Sequence, residues 1–456
     1  MHDLKLPLDF VKRMREQLGA EADFFFNALV ETPPVSVRLN PFKQTSDSET
    51  QLSILNSPFS IHSKVAWCND GYYLIERPAF ICDPMFHAGT YYVQEASSMF
   101  AGEVARQLLG DLANPLVLDA AAAPGGKSTH LLSVLNGRGC LISNEVMPQR
   151  NSVLQENIWK WGTSNNVITQ QQLAEFGNAG EMFDLILLDA PCSGEGLFRR
   201  DPDACNEWSL QSVTGCSLRQ RQLIDEAIQS LKVGGFLIYS TCTYAVEEND
   251  ATVEQAIEKY GLEKIKVNAP DGVVETKHGF QFYPHRVRGE GFFMSVLQKP
   301  HAGAPNISTK AFSKKQAAQK VKSPAEAFGF DKEGFEFYSR NNVVYAVPAF
   351  AASQLLSLQT FNLKSIGTPL IELTEFRSVP HAALALHSAY NFHQAADLTN
   401  ETALSYLCGD ALANESDIKQ GYALARFNGL NLGWMKAAPN RFNNLYPHPW
   451  RIRKRR

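Results

Sequence analysis

Apolar positions along the chain recur with different periods in three regions. Residues 1–90 begin with an amphipathic helical pattern and continue into an interrupted stretch with a strand-like segment at 35–39. This region is predicted to form an N-terminal α+β extension. The apolar face of the first helix consists of Leu4, Leu6, Leu8, Phe10, Val11, Met14 and Leu18.

Residues 91–300 alternate between short apolar runs, typical of buried strands, and longer segments with a helical period. The alternation predicts an α/β fold in which helices cover both faces of a doubly wound, Rossmann-like sheet. The predicted strands lie at 116–118, 140–143, 167–169, 185–188, 236–239 and 292–297.

The last third of the chain has a different composition. Residues 301–324 are rich in Ala, Ser, Lys and Pro and lack a sustained apolar period, which predicts a linker. Residues 325–456 contain strand-like pieces at 343–347 and 422–427, which predict a small C-terminal α+β module. We therefore expect this module to be separable from the sheet of residues 91–300.

Composition excludes several classes of protein. With 456 residues, of which 44% are hydrophobic and 20% charged, the chain can form two or three packed domains. No apolar run approaches the roughly 20 residues of a membrane helix, and the first residues mix charges among their leucines, unlike a signal peptide. The eight cysteines lack the CxxC spacing of metal sites. We expect a cytoplasmic protein with free thiols, no metal centre and no membrane partner.

The net charge of −4 is unevenly distributed along the sequence. Acidic residues outnumber basic ones in residues 1–300, whereas basic residues predominate in 301–456 and end in RIRKRR. A basic segment beside an acidic body favours a polyanionic partner, because cations that neutralise phosphates provide sequence-independent affinity for nucleic acid. The alternative is an ordinary solvated surface with a basic tail.

The sequence LVLDAAAAPGGKSTHLL (116–132) combines a buried strand, a turn of small residues and the start of a helix. Such a turn brings backbone close to a nucleotide-like ligand, although ordinary strand-to-helix turns share the pattern. The Walker pattern GxxxxGK is absent. Glu145 follows the second strand, where a carboxylate can accept both ribose hydroxyls, and Asp189 ends the fourth. Together these acids favour a nucleoside-bearing cofactor such as S-adenosylmethionine.

Two cysteines follow neighbouring predicted strands: Cys192 in DAPCSG and Cys242 in YSTCTY. Structural cysteines usually lie within a strand, so two thiols at one ligand crevice indicate a reaction that uses them. Carbon 5 of cytosine is such a target, because it attacks a methyl sulfonium only after a thiolate has added to carbon 6. Asp189 is then the candidate acid near ring nitrogen 3, and a base must remove the carbon 5 proton before the thiol leaves.

These motifs occur together in one family. DAAAAPGGKS, DAPCSGEG and STCTY, with RLN at 38–40, QEASS at 94–98 and GFF at 291–293, resemble the motifs of the Nol/Nop/Sun family of RNA 5-methylcytosine methyltransferases in order and spacing. The resemblance covers residues 1–300. It implies a class I methyltransferase sheet, S-adenosylmethionine as cofactor and RNA as substrate.

The resemblance also implies roles for individual residues. Cys242 matches the nucleophile and Cys192 the thiol that assists product release, while Lys127 and Asp189 border the base. Gln172 departs from the family pattern, which has an Asp near the adenine; the Gln carbonyl can still accept a hydrogen bond from an amine. The implied cofactor-binding residues are Ala121, Ala122, Ala123, Pro124, Gly125, Gly126, Lys127, Glu145 and Asp189.

The same resemblance suggests RNA contacts. It places Arg38 and Asn40 near the RNA-binding cleft, where an arginine can pair bidentately with phosphate. Arg288, with His285 and Arg286, precedes a late strand and has a similar interpretation. The alternative is that these side chains are ordinary solvated residues at strand ends.

The C-terminal sequence indicates the branch of the family. RFNGLNLGWMKAAPNRFNNLYPHPWR (426–451) resembles the PUA-like RNA-binding region of RsmF-type bacterial enzymes, which modify 16S rRNA of the small subunit. Few residues precede RLN, which argues against the branch with a long helical RNA-binding domain there. We expect a monomer that methylates this rRNA.

Other functions fit the sequence less well. The same chemistry on tRNA and a non-catalytic RNA-binding ribosome-assembly factor are the alternatives. A DNA cytosine methyltransferase uses the Pro-Cys thiol and lacks the Ser-Thr-Cys one. An N-methyltransferase carries an Asn/Asp-Pro-Pro-aromatic motif where this chain has DAPC.

Overall fold

The computed structural model describes residues 4–43, 61–110, 112–300, 318–322, 328–375, 377–414, 417–418 and 420–453. The helices in these ranges are α1 (Leu8–Leu18), α2 (Ala22–Val30), α3 (Pro84–Ala88), α4 (Ala96–Leu109), α5 (Gly126–Leu135), α6 (Pro148–Trp161), α7 (Leu173–Asn178), α8 (Ala204–Glu207), α9 (Leu210–Ser230), α10 (Asp250–Tyr260), α11 (Ala352–Ser357), α12 (Ala382–Leu386) and α13 (Asn400–Cys408).

The strands in the same ranges are β1 (Val35–Leu39), β2 (Ile61–Lys64), β3 (Gly71–Leu74), β4 (Tyr91–Val93), β5 (Leu116–Asp119), β6 (Cys140–Asn144), β7 (Asn166–Thr169), β8 (Phe183–Asp189), β9 (Leu231–Thr241), β10 (Glu263–Lys264), β11 (Val274–Glu275), β12 (Phe280–Phe282), β13 (Phe292–Gln298), β14 (Gln319–Lys320), β15 (Phe335–Arg340), β16 (Val343–Pro348), β17 (Leu363–Ile366), β18 (Thr368–Leu373), β19 (Ser378–Pro380), β20 (Ala395–Asp397), β21 (Leu412–Ala413), β22 (Gly421–Phe427), β23 (Leu430–Ala438) and β24 (Arg441–Asn444).

Local sequence determines where individual helices begin and end. Helix α6 has Pro148 in its first turn, where the missing N–H costs nothing, and stops at Gly162, whose φ of +83° is left-handed. Helix α9 follows Ser209, whose Oγ accepts the backbone N–H of Ser212 at 3.1 Å. Such caps satisfy backbone groups that a helix leaves without partners at its ends.

The central sheet has the strand order β11-β12-β13-β9-β8-β5-β6-β7-β17, with β10 paired to β13. Strands β5 to β9 run parallel, and β13 is antiparallel to β9. All residues of β5, β6 and β7 are buried, as expected for strands covered by helices on both faces. The predicted Rossmann-like α/β fold is confirmed.

The N-terminal extension consists of a four-stranded antiparallel sheet, β2-β3-β1-β4, and the helices α1 and α2. The buried residues of the two helices belong to a different apolar cluster from those of the sheet. Phe10 of α1 and Phe25 of α2 share a buried aromatic cluster with Phe198 and Tyr244, which follow Cys192 and Cys242 in the sequence. The extension therefore packs against the segments that carry the two candidate thiols.

The C-terminal region is continuous with the central sheet. Strand β17 pairs antiparallel with β7, so that residues beyond 360 form an edge of the catalytic sheet. Phe361 packs on Phe176 with ring centroids 4.7 Å apart, and Leu363 and Ile366 join the same core. The expectation that residues 325–456 form a separable module is therefore wrong, because part of this region completes the core of the sheet.

Two further sheets lie in this region, with strand orders β14-β15-β16-β18-β19 and β20-β22-β23-β24-β21. They share a core in which Phe337 and Leu370 of the first meet Leu424 and Trp434 of the second. Within the predicted linker at 301–324, residues 318–322 are described and include β14, which pairs with β15. Residues 301–317 and 323–324 lie outside the described residues. The terminal residues 454–456 also lie outside them.

Candidate active site

The carboxyl ends of four parallel strands meet at one crevice. Strand β5 lies at the switch point of the sheet between β6 and β8, where the chain connections diverge to opposite sides. Asp119 ends β5, Glu145 follows β6, Asp189 ends β8 and Cys242 follows β9. The predicted chemistry-bearing residues of the sheet are thus brought to a single edge.

The small-residue loop runs from the end of β5 into α5. Buried Asp119 accepts a hydrogen bond from Ser128 Oγ at 2.6 Å, which ties the two ends of the loop together. Ala122 N–H donates to the Asn144 carbonyl at 2.9 Å, and Gly125 has a φ of +116°, which L side chains rarely adopt. The loop or the first turn of α5 contains Ala121, Ala122, Ala123, Pro124, Gly125, Gly126 and Lys127.

Glu145 lies beside this loop and is buried. Its Oε1 accepts the Met147 N–H at 2.9 Å, whereas Oε2 has no hydrogen-bond partner in the described structure. Arg150 Nη1 is 3.2 Å from Oε2 as an ion pair, and Arg150 also donates to the Ala123 carbonyl at 2.6 Å. One carboxylate oxygen with unused acceptor capacity is therefore held at the loop.

Lys127 and Asp189 form the charged centre of the crevice. Lys127 Nζ donates to Asp189 Oδ2 at 2.8 Å, and Ser240 Oγ donates to Oδ1 at 2.7 Å. Burial works to lower the pKa of Lys127, but the charge and hydrogen bond of Asp189, together with the charge of Asp119, outweigh it and raise that pKa. Lys127 is therefore a fixed ammonium group that points at the end of β8.

Burial raises the pKa of Asp119 to about 7, and the nearby Asp189 adds to the shift. Its Oδ2 accepts the hydrogen bond from Ser128, whereas its Oδ1 has no hydrogen-bond partner in the described structure. A carboxyl group with this pKa is partly protonated at neutral pH. The Asp119 carboxyl group therefore holds the loop through its hydrogen bond with Ser128, and a full negative charge on Asp119, buried close to that of Asp189, is not required.

The two candidate thiols are in contact. Cys192 Sγ and Cys242 Sγ lie 2.9 Å apart, and the Cys242 N–H donates to Cys192 Sγ at 3.2 Å. Both cysteines are reduced and partly buried. The hydrogen bond with Cys242 and burial raise the pKa of Cys192 well above its ordinary value, so Cys192 keeps its proton. This protonated thiol can donate to the sulfur of Cys242.

A buried glutamate that the sequence did not single out supports the Cys192 loop. Glu248 Oε2 accepts the Ser193 N–H at 3.0 Å and Gln220 Nε2 at 2.7 Å. Gln220 also donates to the Pro191 carbonyl at 2.9 Å, and burial raises the pKa of Glu248. In the sequence, Glu248 stands in an acidic stretch, EEND, that gives no indication of which carboxylate is buried.

A second support comes from the N-terminal extension. Buried Glu195 accepts hydrogen bonds from Trp208 Nε1 at 2.9 Å and from the Tyr244 N–H at 3.0 Å, and it pairs with Arg13 of α1. The neighbouring Gly196 N–H donates to the Cys242 carbonyl at 2.8 Å. The segment after Cys192 is thus bonded both to the segment of Cys242 and to helix α1.

Comparison with known proteins identifies the family. Family models match for 16S rRNA methyltransferase RsmB/F at residues 107–298, the N-terminal domain of 16S rRNA methyltransferase RsmF at 6–96 and the methyltransferase RsmF PUA domain at 394–452. The chain is 32% identical to Ribosomal RNA small subunit methyltransferase F of Escherichia coli O1:K1 / APEC over 98% of this chain and 96% of that protein. The protein of that name in strain SE11 gives the same values.

The chain belongs to the RsmF family of methyltransferases. Among solved structures, a methyltransferase homologue protein from Pyrococcus horikoshii matches with 26% identity and a TM-score of 0.56, over 65% of this chain and 96% of that one. NSun6 from Pyrococcus horikoshii with SFG has the same fold, with 23% identity and a TM-score of 0.55 over 64% and 98% of the two chains. The predicted family, the methyltransferase fold and the C-terminal PUA domain are confirmed.

Arg38 of this RsmF-family chain is completely buried. Its guanidinium donates to Gln94 Oε1 at 2.8 Å, to Thr129 Oγ1 at 2.6 Å and to the Gly126 carbonyl at 3.2 Å, and it lies over the ring of Trp161. No surface is left for a phosphate. The prediction of an RNA contact at Arg38 is corrected, because its donors hold the first turn of α5 instead.

Asn40 has a similar structural position. Its amide donates to the carbonyls of Gly89 and Trp161 at 2.8 and 2.9 Å, and its Oδ1 accepts the Phe42 N–H at 3.0 Å. These bonds satisfy the ends of two helices, α3 and α6. Asn40 therefore attaches the extension to the catalytic sheet, and the prediction that it contacts RNA is corrected in the same way as that for Arg38.

Arg288 is exposed, whereas Arg38 and Asn40 are buried. Its guanidinium lies over the ring of Tyr73, with 4.5 Å between the guanidinium carbon and the ring centroid, and beside His62 and Ser63. The neighbouring His285 and Arg286 instead pair with Glu21. Of Arg38, Asn40 and Arg288, only Arg288 lies on a surface that a phosphate can reach.

Gln172 is exposed at the start of α7, where it takes part in a reciprocal cap with Glu175. Its backbone N–H donates to Glu175 Oε2 at 3.1 Å. Gln171, one residue earlier, is almost buried and accepts the Asn362 N–H from the C-terminal region at 3.0 Å. The segment at the predicted adenine position is thus held partly by residues beyond 360.

The described residues show neither a metal cluster nor a membrane segment. Within these ranges, no group of three or more His, Cys, Asp and Glu side chains is arranged to hold a metal ion. Within the same ranges, no helix is both long and apolar enough to cross a membrane.

Proposed function

We propose that this chain methylates carbon 5 of a cytosine in 16S rRNA, with S-adenosylmethionine as the methyl donor and Cys242 as the nucleophile. The observation that carries the proposal is the contact between two thiols at the carboxyl ends of β8 and β9, beside the Lys127–Asp189 pair. The names of the Escherichia coli relatives support small-subunit rRNA as the substrate.

The residues at the loop fit S-adenosylmethionine. Glu145 Oε2 is a buried acceptor without a hydrogen-bond partner in the described structure, which suits a ribose hydroxyl. The backbone at Gly125, with its positive φ, can approach the ligand because no side chain stands there. When bound, S-adenosylmethionine supplies an electrophilic methyl group. Asp189 and the loop from Ala121 to Lys127 would hold it on the side of the sheet that faces Cys242.

The protonated thiol of Cys192, in contact with Cys242 Sγ, supports Cys242 as the nucleophile. Because Cys192 keeps its proton, a hydrogen bond from its thiol stabilises a thiolate on Cys242. The Cys242 thiolate adds to carbon 6 of the cytosine, and the ring then carries an enamine whose carbon 5 is nucleophilic.

Lys127 and Asp189 stabilise the charge that develops on the ring. The ammonium of Lys127 donates to Asp189, so a proton is held at the site where ring nitrogen 3 is expected. The positive charge also favours the anionic adduct over the neutral base. Ser240, on β9, fixes the other carboxylate oxygen and so holds Asp189 in place.

Release of the product requires removal of the carbon 5 proton and breakage of the bond between Cys242 Sγ and carbon 6. Cys192 is the candidate for assisting this step, because its sulfur lies 2.9 Å from Cys242 Sγ. Its thiol protonates Cys242 Sγ as the bond to carbon 6 breaks, and the Cys192 thiolate formed in this way takes the carbon 5 proton. Elimination then restores the aromatic ring of the methylated base and the free Cys242 thiol.

Two alternatives differ in substrate or in catalysis. Methylation of tRNA would use the same residues, and the descriptions of the matching family models and the names of the relatives favour rRNA. A non-catalytic assembly factor would not require the thiol pair or the Lys127–Asp189 pair, and this chain retains both.

The thiol roles can be tested with two single variants. We expect Cys242→Ala to lose methyl transfer by at least about a thousandfold and to form no covalent adduct, because the nucleophile is gone. Cys192→Ala should still add to the base and methylate it but should accumulate protein–RNA adducts. Denaturing gels measure the adduct, and bisulfite sequencing of rRNA and tRNA measures 5-methylcytosine.

Cys408→Ala is the matched control, because this thiol lies on α13 in the C-terminal region, and its activity should equal that of the parent protein. Adducts with Cys242→Ala but not with Cys192→Ala would reverse the two roles. Methylation confined to tRNA would replace the proposed substrate, and no 5-methylcytosine in either RNA would favour the assembly factor.

A further inference from the structure

Two large surface cavities meet at Arg77. The first, of about 830 Å³, lies between the start of β1, the end of β3 and the loop of residues 284–289. The second, of about 960 Å³, lies between residues 77–82, helices α3 and α6, and residues 449–453 of the C-terminal region. Because Arg77 lines both, the two cavities are adjacent on one face of the molecule.

Both cavities are rich in cationic side chains. Arg77, Arg200 and Arg288 line the first and are exposed, and the exposed Arg453 lines the second. Within the described ranges, no salt bridge joins these four side chains to an acid. We refer to Arg77, Arg200, Arg288 and Arg453 as the arginine track. Its cations are available to phosphates.

The acids in the two cavities are fewer and partly neutralised. Glu31 and Glu76 line the first cavity, whereas Glu156 in the second pairs with Lys160 at 2.5 Å. The field along the two cavities is therefore expected to attract anions, although the chain as a whole has a net charge of −4.

Aromatic rings alternate with the cations. The guanidinium of Arg77 lies 5.5 Å from the ring centroid of Phe80, and the amine of Lys160 lies 5.5 Å from that of Trp450. Trp450 is partly exposed at the C-terminal side of the second cavity. Cations for the backbone, with rings on which bases can stack, are typical of surfaces that bind single-stranded nucleic acid.

The first cavity is lined in part by the segment that follows Cys192 in the sequence. Arg199 and Arg200 line it and follow Cys192 in the same segment, in which the Gly196 N–H donates to the Cys242 carbonyl. The side chain of Arg199 is only 4% exposed and pairs with Glu290 at 3.0 Å, which attaches this segment to the loop of Arg288. One wall of the cavity thus belongs to the segment that carries Cys192 and is hydrogen-bonded to the segment of Cys242.

We propose that the two cavities form one continuous site for a single-stranded RNA segment that flanks the target cytosine, running from the C-terminal region past Arg77 to the thiols. This proposal rests on the proposed function, because it assumes that the base to be modified enters beside Cys242. Phosphates contact the arginine track, and bases stack on Trp450 and neighbouring rings.

The test is equilibrium binding of a fluorescein-labelled single-stranded RNA of about 20 nucleotides, which is long enough to span several cationic groups. The full-length protein is titrated without S-adenosylmethionine at several salt concentrations. Arg77→Gln, Arg200→Gln and Arg453→Gln should each lower the slope of log affinity against log salt by about 0.7, the value for one phosphate contact on a single strand.

Two further variants make the result specific. Arg441→Gln changes an exposed arginine on β24 that lines neither cavity, and its salt slope should equal that of the parent. Arg77→Lys keeps the charge at the junction and should restore most of the slope. Thermal unfolding and S-adenosylmethionine affinity, both expected to be unchanged, show whether each variant is folded.

One RNA should bind per protein, and the three glutamine variants should act additively on it. Two RNA molecules per protein, or unchanged slopes in the variants at both ends, would overturn the continuous site. Equal competition by the same sequence as a duplex would overturn its preference for single strands. If the variants lose salt slope as expected but the parent protein forms no covalent adduct with RNA, only the proposed function is refuted. If the parent protein methylates RNA but the variants keep its salt slope, only the arginine track is refuted.

Discussion

At the scale of single residues, Arg38 and Arg288 show how environment changes the role of one side-chain type. Arg38 is enclosed and donates to groups of β4–α4 and α5, and burial lowers its pKa to about 10, which still leaves it charged at neutral pH. Arg288 lies on the surface over a tyrosine ring. The first stabilises the fold next to the loop of Lys127, and the second is available to a ligand.

The substitution Arg38→Met should therefore destabilise the protein. It removes the guanidinium that donates to Gln94 Oε1, Thr129 Oγ1 and the Gly126 carbonyl. Thr129 Oγ1 still donates to the Gly126 carbonyl, but Gln94 Oε1 is left buried without its donor, at a cost of about 1–3 kcal/mol in the free energy of unfolding. Arg38→Lys should recover little of this, because an ammonium cannot reach three acceptors with the geometry of a guanidinium. Urea unfolding measures both effects.

Arg288→Gln is the contrasting control for this prediction. It should leave the unfolding free energy nearly unchanged and lower the salt dependence of RNA binding. If Arg38→Met unfolded like the parent protein but lost RNA affinity with a reduced salt slope, Arg38 would be a phosphate contact after all.

Several residues of the candidate site could be predicted from the sequence, and others could not. Glu145, Asp189, Cys192 and Cys242 follow apolar runs, and the ends of parallel strands meet at one edge. The burial of Arg38 depends on partners at Gln94 and Thr129, which no local pattern connects to it. Glu248 likewise supports Ser193 from a distant segment.

At the scale of elements, the segment after Cys192 touches the chain just before β13. A Cβ on Gly196 would lie 2.4 Å from the Gly291 carbonyl oxygen, and one on Gly291 would lie 2.4 Å from the Tyr244 ring. Both positions therefore require glycine for close approach. This contact explains why GFF at 291–293, far along the sequence, accompanies the motifs of the thiols.

We expect Gly196→Ala to displace this segment. The added methyl group meets backbone, which cannot rotate away, at a cost of about 1–3 kcal/mol in unfolding free energy. Because the Gly196 N–H holds the Cys242 carbonyl, kcat should also fall by about tenfold to a hundredfold from misplacement of the thiol. Thermal unfolding and single-turnover methyl transfer measure the two effects.

Gly215→Ala is the matched control. Gly215 lies within α9, where a Cβ would meet nothing within 4 Å, so alanine should stabilise the helix slightly and leave kcat unchanged. A Gly196→Ala enzyme with the parent's kcat and unfolding temperature would show that the segment can move without consequence for Cys242.

Most strands of the central sheet could also be predicted from their apolar runs. Which strands pair with each other, and in which direction, could be predicted only in part. The antiparallel direction of β13 and the pairing of β17 with β7 depend on long-range contacts. The short run at β17 carries no feature that distinguishes an edge of this sheet from a strand of a separate module.

At the scale of the whole molecule, the C-terminal region is both a PUA-containing segment and a part of the catalytic core. Leu355, Leu358, Leu363 and Ile366 are almost fully buried in the same cluster as the helices and strands of the methyltransferase sheet. Burial of each such side chain contributes about 1.5–3 kcal/mol. Together they are comparable with the entire stability of a typical domain.

A chain that ends at residue 300 should therefore fail to form a stable sheet. We expect loss of cooperative unfolding and of S-adenosylmethionine binding, because the core around Phe176 is opened to water and Asn362 no longer holds Gln171. Calorimetric titration with the cofactor and thermal unfolding measure this outcome.

A chain that ends at residue 390 is the matched control. It keeps β17 and its apolar neighbours but lacks the segment of residues 394–452 that matches the PUA model. Because it removes Leu424 and Trp434 from the core that the two C-terminal sheets share, it should unfold at a lower temperature than the full chain. It should nevertheless bind the cofactor like the full chain, because β17 still covers β7, and it should bind RNA more weakly. If the chain ending at residue 300 bound S-adenosylmethionine as tightly as the full protein, the contribution of β17 to the core would be dispensable.

The position of β17 has a consequence for biosynthesis. A nascent chain emerges from the ribosome in sequence order, so β7 is made long before the strand that covers its outer edge. Until β17 appears, that edge presents unpaired backbone groups on which other strands can assemble. A prematurely terminated polypeptide is thus exposed to aggregation and proteolysis, and only translation of the C-terminal third closes the sheet on which methylation depends.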